Sequence, residues 1–284
     1  MKTIGFVDYY ISEWHANHYP AWIKEASERM GEDFAVRYAW AEEYVSPVDG
    51  RNTDEWCRVF GVERCESIEA LCEKADYILI LAPSNPEKHL AYAEKVLAYG
   101  KNTYIDKTFA PDYATAKRIF DIAKEYGTGF FSSSALRYGA ELADAVGSKA
   151  MLIQGGGSNL PEYIIHQIEM AVKILGDKAV RVRVEKQGTV QYVVTVVFAD
   201  EKQATLLYAP SYGFSVCVEK EGGETAYIPA LSGTFEGLIA DILRFYRTGE
   251  PSFCPAETLA VMKIREAVIQ GTEKLGVWIH LEQN

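Results

Sequence analysis

Near the middle of the chain, Glu162, His166, Glu169 and Lys173 are spaced so that a helix would carry them on one stripe, with Ile164, Ile168, Ala171 and Leu175 lining another. Histidine alone titrates unperturbed near neutral pH, so His166 is a candidate general base, with Glu162 to orient or polarise it. The same spacing also suits a solvated helix face, with Glu162 complementing the helix dipole from the first turn. Lys107, in the stretch YIDKTFAPD, directly follows an apolar run that reads as a parallel strand. Ligands of open α/β sheets bind at the carboxyl ends of the strands, which puts this lysine where a substrate would lie; a surface lysine is the plain alternative. His15 and His18 have the separation of a ligand pair, but no third ligand accompanies them, and no metal site is expected.

Periodicity and caps show the elements that must position these groups. Residues 2–8 read as a strand, followed after a polar and aromatic loop by an amphipathic helix over 15–30. Segments 34–41, 77–82, 103–106 and 128–132 read as further strands, and 67–74, 87–99 and 113–126 as helices, with Gly100 and Gly127 as C-caps. Solidly apolar strands separated by helices imply right-handed crossovers and a doubly wound parallel sheet. After about residue 150 the pattern changes. A Gly-rich loop over 154–158 leads into a helix over 161–175, and three or four strands follow between 179 and 220. There Val180, Val182 and Val184 alternate with Arg181, Arg183 and Glu185, the mark of an antiparallel sheet covered on one face. Helices over 234–247 and 256–275 close the chain. The expected fold is α/β: a Rossmann-like domain over 1–132 and an α+β domain with a mainly antiparallel, open-faced sheet over 133–284, its closing helices free to pack back on the first.

Composition narrows the function classes. At 284 residues the chain suits roughly two domains, and 48% apolar with 24% charged residues is ordinary for a globular protein. The 40 acidic residues outnumber the 29 basic ones, a net charge of −11 that repels phosphate backbones and anionic lipid, so neither nucleic acid nor a membrane surface is expected as a partner. No apolar run approaches a membrane span, the first residues lack a signal-peptide pattern, and the cytoplasm is the expected compartment. The 5 cysteines include no Cys-x-x-Cys pair and read as reduced thiols.

The first strand-to-helix turn reads IGFVDYYISEWHANH. A dinucleotide fingerprint would need glycines there for the backbone to approach a pyrophosphate. Gly5 lies within the strand, Val7 and Tyr10 stand where later glycines would be, and Tyr9, Tyr10 and Trp14 crowd the turn. The acidic residue that holds a ribose at the end of the second strand is also indistinct, with Ala41 in its place and Glu42 and Glu43 just after.

The order of segments nevertheless resembles the glucose-fructose oxidoreductase, inositol dehydrogenase and MocA oxidoreductase family. The stretch 67–127, containing APSNPEKH and YIDKTFAPD, is similar to the family's central signature, and EYIIHQIE to its Asp-x-Gly-x-His-x-x-Asp motif, with Glu162 and Glu169 for the two aspartates and Ile164 for glycine. The C-terminal stretch from FEGLIADIL onward is similar to its closing helices. The resemblance implies an oxidoreductase that moves a hydride between NAD or NADP and a secondary alcohol or ketone of a sugar, cyclitol or related polyol. It makes Lys107 the catalytic lysine, with Asp106 and Thr108 where the family has Glu and Pro, makes His166 the base, and makes Glu162 its support. Cofactor contacts would come from Pro83, Asn85 and His89, with Ser84 and Asn85 on the nicotinamide side, and from Ala82, Asp106, Val7, Asp8, Tyr9 and Tyr10 around the dinucleotide. A small-molecule substrate and a homodimer or higher homo-oligomer through the C-terminal sheet are expected. Because the glycines are missing, the dinucleotide should bind weakly. The alternative is a ligand-binding or regulatory protein of the same fold that has lost dinucleotide binding.

Overall fold

The computed structural model describes residues 1–282; the last two positions of the expected second domain lie outside them. The chain divides into two compact units, Met1–Ser133 with Leu238–Phe253, and Ser134–Gly237 with the residues from Cys254 onward.

In the first unit, β1 (Lys2–Tyr10), α1 (Trp14–Arg29), β2 (Phe34–Glu43), α2 (Thr53–Phe60), β3 (Glu63–Arg64), α3 (Ile68–Lys74), β4 (Tyr77–Ile80), α4 (His89–Val96), β5 (Thr103–Ile105), α5 (Tyr113–Tyr126) and β6 (Phe130–Phe131) follow one another. The strands lie in the order β3-β2-β1-β4-β5-β6, all parallel, which is the doubly wound order whose switch point falls between β1 and β4. Ile4, Phe6, Ile78, Leu79 and Ile80 are fully buried, as strands covered on both faces require. At Gly5, α3 lies close against β1: a Cβ there would stand 2.5 Å from a Leu71 methyl, so this glycine serves packing and not phosphate. Tyr246 of the Leu238–Phe253 segment stacks on Tyr77 and donates to the Ile78 carbonyl at 2.6 Å.

Several strand ends differ from expectation: β2 runs two residues past 41, β5 and β6 are shorter than 103–106 and 128–132, and two ends have a visible cause. Strand β1 runs on to Tyr10, two residues past the expected stop, because it keeps pairing with β2 as far as Glu43. Strand β4 stops at Ile80 because the chain turns at Ala82, whose φ of 52° is left-handed. That conformation costs an alanine of the order of 1 kcal/mol, and it lies at the switch point, where such strain collects.

The second unit holds β7 (Ser148–Gly155), α6 (Leu160–Leu175), β8 (Ala179–Gln187), β9 (Gln191–Phe198), β10 (Gln203–Tyr208), β11 (Ser215–Lys220), β12 (Thr225–Ile228), the first turn of α7 (Thr234–Thr248), α8 (Pro255–Glu273) and β13 (Trp278–His280). Its seven strands lie in the order β12-β11-β7-β10-β9-β8-β13; β7 and β10 pair in parallel and the rest are antiparallel. The alternation in β8 holds from Arg181 on, with Val182 and Val184 buried while Arg181 and Arg183 lie over the Trp278 ring; Val180 is only half-buried, because the register shifts between Ala179 and Arg181. The expected Gly-rich loop is in part the end of β7. Its glycines are there because a Cβ on Gly156 would meet the Ala209 carbonyl oxygen at 1.9 Å. Helix α6 packs on β7, β10 and α8. Among the described residues no helix is long and apolar enough to cross a membrane.

Candidate active site

Carboxylates, an imidazole and an ammonium gather where β1, β4 and β5 end in the first unit. Asp8 is 1% exposed; its Oδ1 accepts from the amides of Tyr9 at 2.7 Å and Ala82 at 3.0 Å, tying the ends of β1 and β4 together. Its Oδ2 is buried without a hydrogen-bond partner among the described residues. Burial, with the charge of Glu13 added, pushes the Asp8 carboxyl well above the usual range. Asp106 follows β5, accepts from the Lys107 amide at 2.8 Å, and stands 2.5 Å from Nδ1 of His15. Burial alone would raise the Asp106 pKa, but the charge of His15 and its hydrogen bond, then Lys107, hold it below normal. The same pairing overrides burial in His15, whose pKa is raised. Lys107 itself is 9% exposed, beside this pair.

The turn into α1 is closed by its own acid. Glu13 is the N-cap, and its carboxylate accepts from the His15 amide at 2.8 Å and from the Ala16 amide. Burial raises its pKa against the attraction of His15. Ile11 and Ser12 are buried with it, and the Ser12 hydroxyl donates to Asp49 at 2.7 Å. At the end of β2, Glu42 takes Lys88 at 2.5 Å and the Tyr92 hydroxyl at 2.7 Å, and the same Lys88 ammonium lies over the Tyr9 ring at 4.6 Å.

These observations decide how a dinucleotide fits. Ser84, exposed, and Pro83 and Asn85, half-buried, form a turn beyond β4, on the same strand ends as Lys107. The phosphate end does not fit: no glycine opens the turn, the α1 amides are held by Glu13, and Asp8 adds a second carboxyl. His89 is fully buried, with Nδ1 3.0 Å from the Phe109 carbonyl and Nε2 2.6 Å from that of Leu81. Both ring nitrogens thus face backbone, so His89 fastens two strand-end loops and presents neither to a cofactor; burial lowers its pKa. Val7 is buried within β1, while Tyr9 and Tyr10 stand at its end, their rings 5.7 Å apart.

In the second unit, His166 is 8% exposed on α6, and every residue from Ile164 to Val172 is buried. The reading of His166 and Glu169 as a solvated face is therefore wrong. Packing of α6 on the sheet and α8 covers them. Nδ1 of His166 lies 2.6 Å from the Ser134 hydroxyl oxygen, and that oxygen accepts from the Leu136 amide at 3.2 Å. Glu169 receives the Ser134 amide and an Arg137 N–H, each at 3.3 Å, while Arg137 also reaches Glu257. Complete burial pushes the Glu169 carboxyl up to about 7, with Arg137 opposing. Lys173 donates to the Arg137 carbonyl at 2.7 Å. Glu162 binds the Asn159 side-chain amide at 3.1 Å at the start of α6. The Nδ1 partner of the imidazole is Ser134, which sequence reasoning missed because the two lie 32 residues apart. The clustering of His15 with Glu13 and Asp106 likewise escapes sequence reasoning, because Asp106 is far from the other two in the chain. No group of three or more metal-ligating side chains occurs among the described residues.

Residues 29–133 match the family described as "Oxidoreductase family, NAD-binding Rossmann fold". A 60-residue stretch is 32% identical to the uncharacterized oxidoreductase YhhX of Escherichia coli (strain K12), covering 21% of this chain and 17% of that protein. Among solved structures, myo-inositol dehydrogenase from Lactobacillus casei, in complex with NAD(H) and myo-inositol, is similar over 100% of this chain and 97% of its own, at 12% identity and a TM-score of 0.80. UDP-N-acetylglucosamine 3-dehydrogenase GnnA from Acidithiobacillus ferrooxidans is similar over 96% and 97%, at 14% identity and a TM-score of 0.73. The family match thus covers residues 29–133, and over its whole length the chain shares the fold of these solved structures.

Proposed function

We propose that the chain is an oxidoreductase acting on a secondary alcohol or ketone of a sugar, cyclitol or related polyol, with NAD or NADP held weakly. The observation that carries this reading is Lys107, which stands at the carboxyl end of β5 inside the segment that matches the family, beside a charged pair that fixes its surroundings. When bound, the nicotinamide supplies the hydride chemistry. The ammonium of Lys107 donates to the substrate oxygen and holds its developing negative charge. His166 takes the hydroxyl proton. In the tautomer whose Nδ1–H donates to the Ser134 oxygen 2.6 Å away, the imidazole carries its lone pair on Nε2, as a base needs, and this reading assigns His166 that tautomer. Glu162, one turn earlier on α6, adds negative charge near the start of the helix. The first unit is assigned to the cofactor and the second to the substrate. The proposed setting is the cytoplasm, as a homodimer through the exposed sheet face bearing Leu152 and Tyr227.

One observation favours a second reading, a ligand-binding protein of this fold without a dinucleotide: Glu13 sits on the α1 amides. Incubation of the purified protein with a panel of cyclitols and sugars and each oxidised nicotinamide separates the two. Ketone formed together with reduced nicotinamide supports the oxidoreductase. Retention of a polyol at equilibrium, with no ketone formed from any member, supports the binding protein.

A further inference from the structure

The strongest unexplained feature of the first unit is a helix start that already holds an anion. In doubly wound sheets of this order, the amides opening α1 at the β1 end form the site where a phosphate is held. Here the amides of His15 and Ala16 both go to the Glu13 carboxylate. Glutamate is not a favoured N-cap, since Ser, Thr, Asp and Asn place an oxygen over the same amides on a shorter side chain. Glu13 reaches them by folding back, and it is 7% exposed while doing so. A carboxylate is the chemical counterpart of the missing ligand: anionic, multiply accepting, and placed on the positive end of the helix dipole.

A second observation agrees. The buried Oδ2 of Asp8 has no hydrogen-bond partner among the described residues, so a pyrophosphate brought to this strand end would meet two carboxyl groups in place of open backbone. The β2-end acid, Glu42, is likewise engaged by Lys88 and Tyr92.

We infer that Glu13 is a built-in anion that occupies the phosphate position at α1 and competes with any dinucleotide for its amides. The inference rests on the nicotinamide reading above and adds what limits the affinity of that site. Each amide hydrogen bond to a charged group is worth roughly tenfold to a hundredfold in affinity, so freeing two of them should be readily measured.

The test is equilibrium binding of NADH and NADPH, followed by fluorescence, to the wild-type chain, to Glu13→Gly, which empties the position while keeping an acceptable cap, and to Glu13→Gln, which keeps the shape and removes the charge. The expected result is wild-type binding too weak to reach the submicromolar range, affinity about a hundredfold higher in Glu13→Gly, and a smaller gain in Glu13→Gln. Thermal unfolding of each variant identifies one that has failed to fold, and the glutamine variant then carries the test alone. Submicromolar binding by the wild type overturns the inference and leaves the oxidoreductase reading in place. Measurable affinities that agree within about threefold in all three proteins do the same. Absence of binding by all three overturns the inference together with the cofactor reading.

Discussion

Glu169→Gln should change the pH dependence of stability in a direction opposite to that of an ordinary ion pair. Glu169 is 3% exposed and shares Arg137 with Glu257, and burial lifts its carboxyl from 4.5 to about 7. The folded chain therefore keeps a proton that the unfolded chain releases first. Its stabilising contribution is complete below pH 4.5 and is lost as pH rises through about 7. At about 1.36 kcal/mol per pH unit, the span from 4.5 to about 7 amounts to about 3 kcal/mol. Glutamine mimics the protonated acid in shape and neutrality. The variant should match the wild type near pH 4.5 and exceed it by up to about 3 kcal/mol near pH 8, a rise of roughly 5 °C in Tm. Calorimetry or urea unfolding of both proteins between those limits measures the difference. Parallel pH profiles would refute the reasoning, as would a wild type that gains stability over the variant with rising pH, because either would mean that Arg137 keeps Glu169 ionised throughout.

Gly5→Ala should cost about 1–3 kcal/mol in urea unfolding, because the added methyl must displace Leu71 from 2.5 Å; an unchanged midpoint would show that α3 yields freely. Asp106→Asn should destabilise by about 3–5 kcal/mol and lower the His15 pKa, read by NMR titration, since the buried ring loses the carboxylate that raises it; an unmoved His15 titration would refute the pairing. Ser134→Ala should lower kcat/KM about tenfold and shift the acid limb of the rate profile with little change in Tm, through loss of the Nδ1 hydrogen bond to His166. A loss of activity with the acid limb unmoved would make Ser134 merely structural.

Much of the framework was legible because local signals agreed. The apolar runs expected as strands over 77–82 and 103–106, which end at Ile80 and Ile105, and the helices closed at Gly100 and Gly127 give the parallel sheet without help from tertiary contacts. Lys107 was found by the same route, from its place after a strand. The cluster around it was not, because nothing local marks Glu13 as a cap, and its partnership with His15 and Asp106 depends on α1 and β5 meeting in space. The segment between Ser133 and Ser148 carries short 3-10 turns with no periodicity, so Ser134 and Arg137 gave no sign of their hold on α6. The reading of α6 as half-solvated failed because polar spacing cannot distinguish a wet stripe from buried polar groups with partners. His89 stands at a motif position, yet its neighbours in space turn both of its nitrogens toward backbone.

The central claim is that Lys107 works on a substrate oxygen. The most direct measurement is kcat/KM and Tm, side by side, for the wild type and Lys107→Met on the best polyol of the panel. The account predicts a loss of about 10²-fold or more in kcat/KM, the scale of removing one charge-stabilising donor, with Tm held within about 3 °C. Equal turnover in the two proteins would contradict it, and so would a loss of activity matched by an equally large loss of melting temperature.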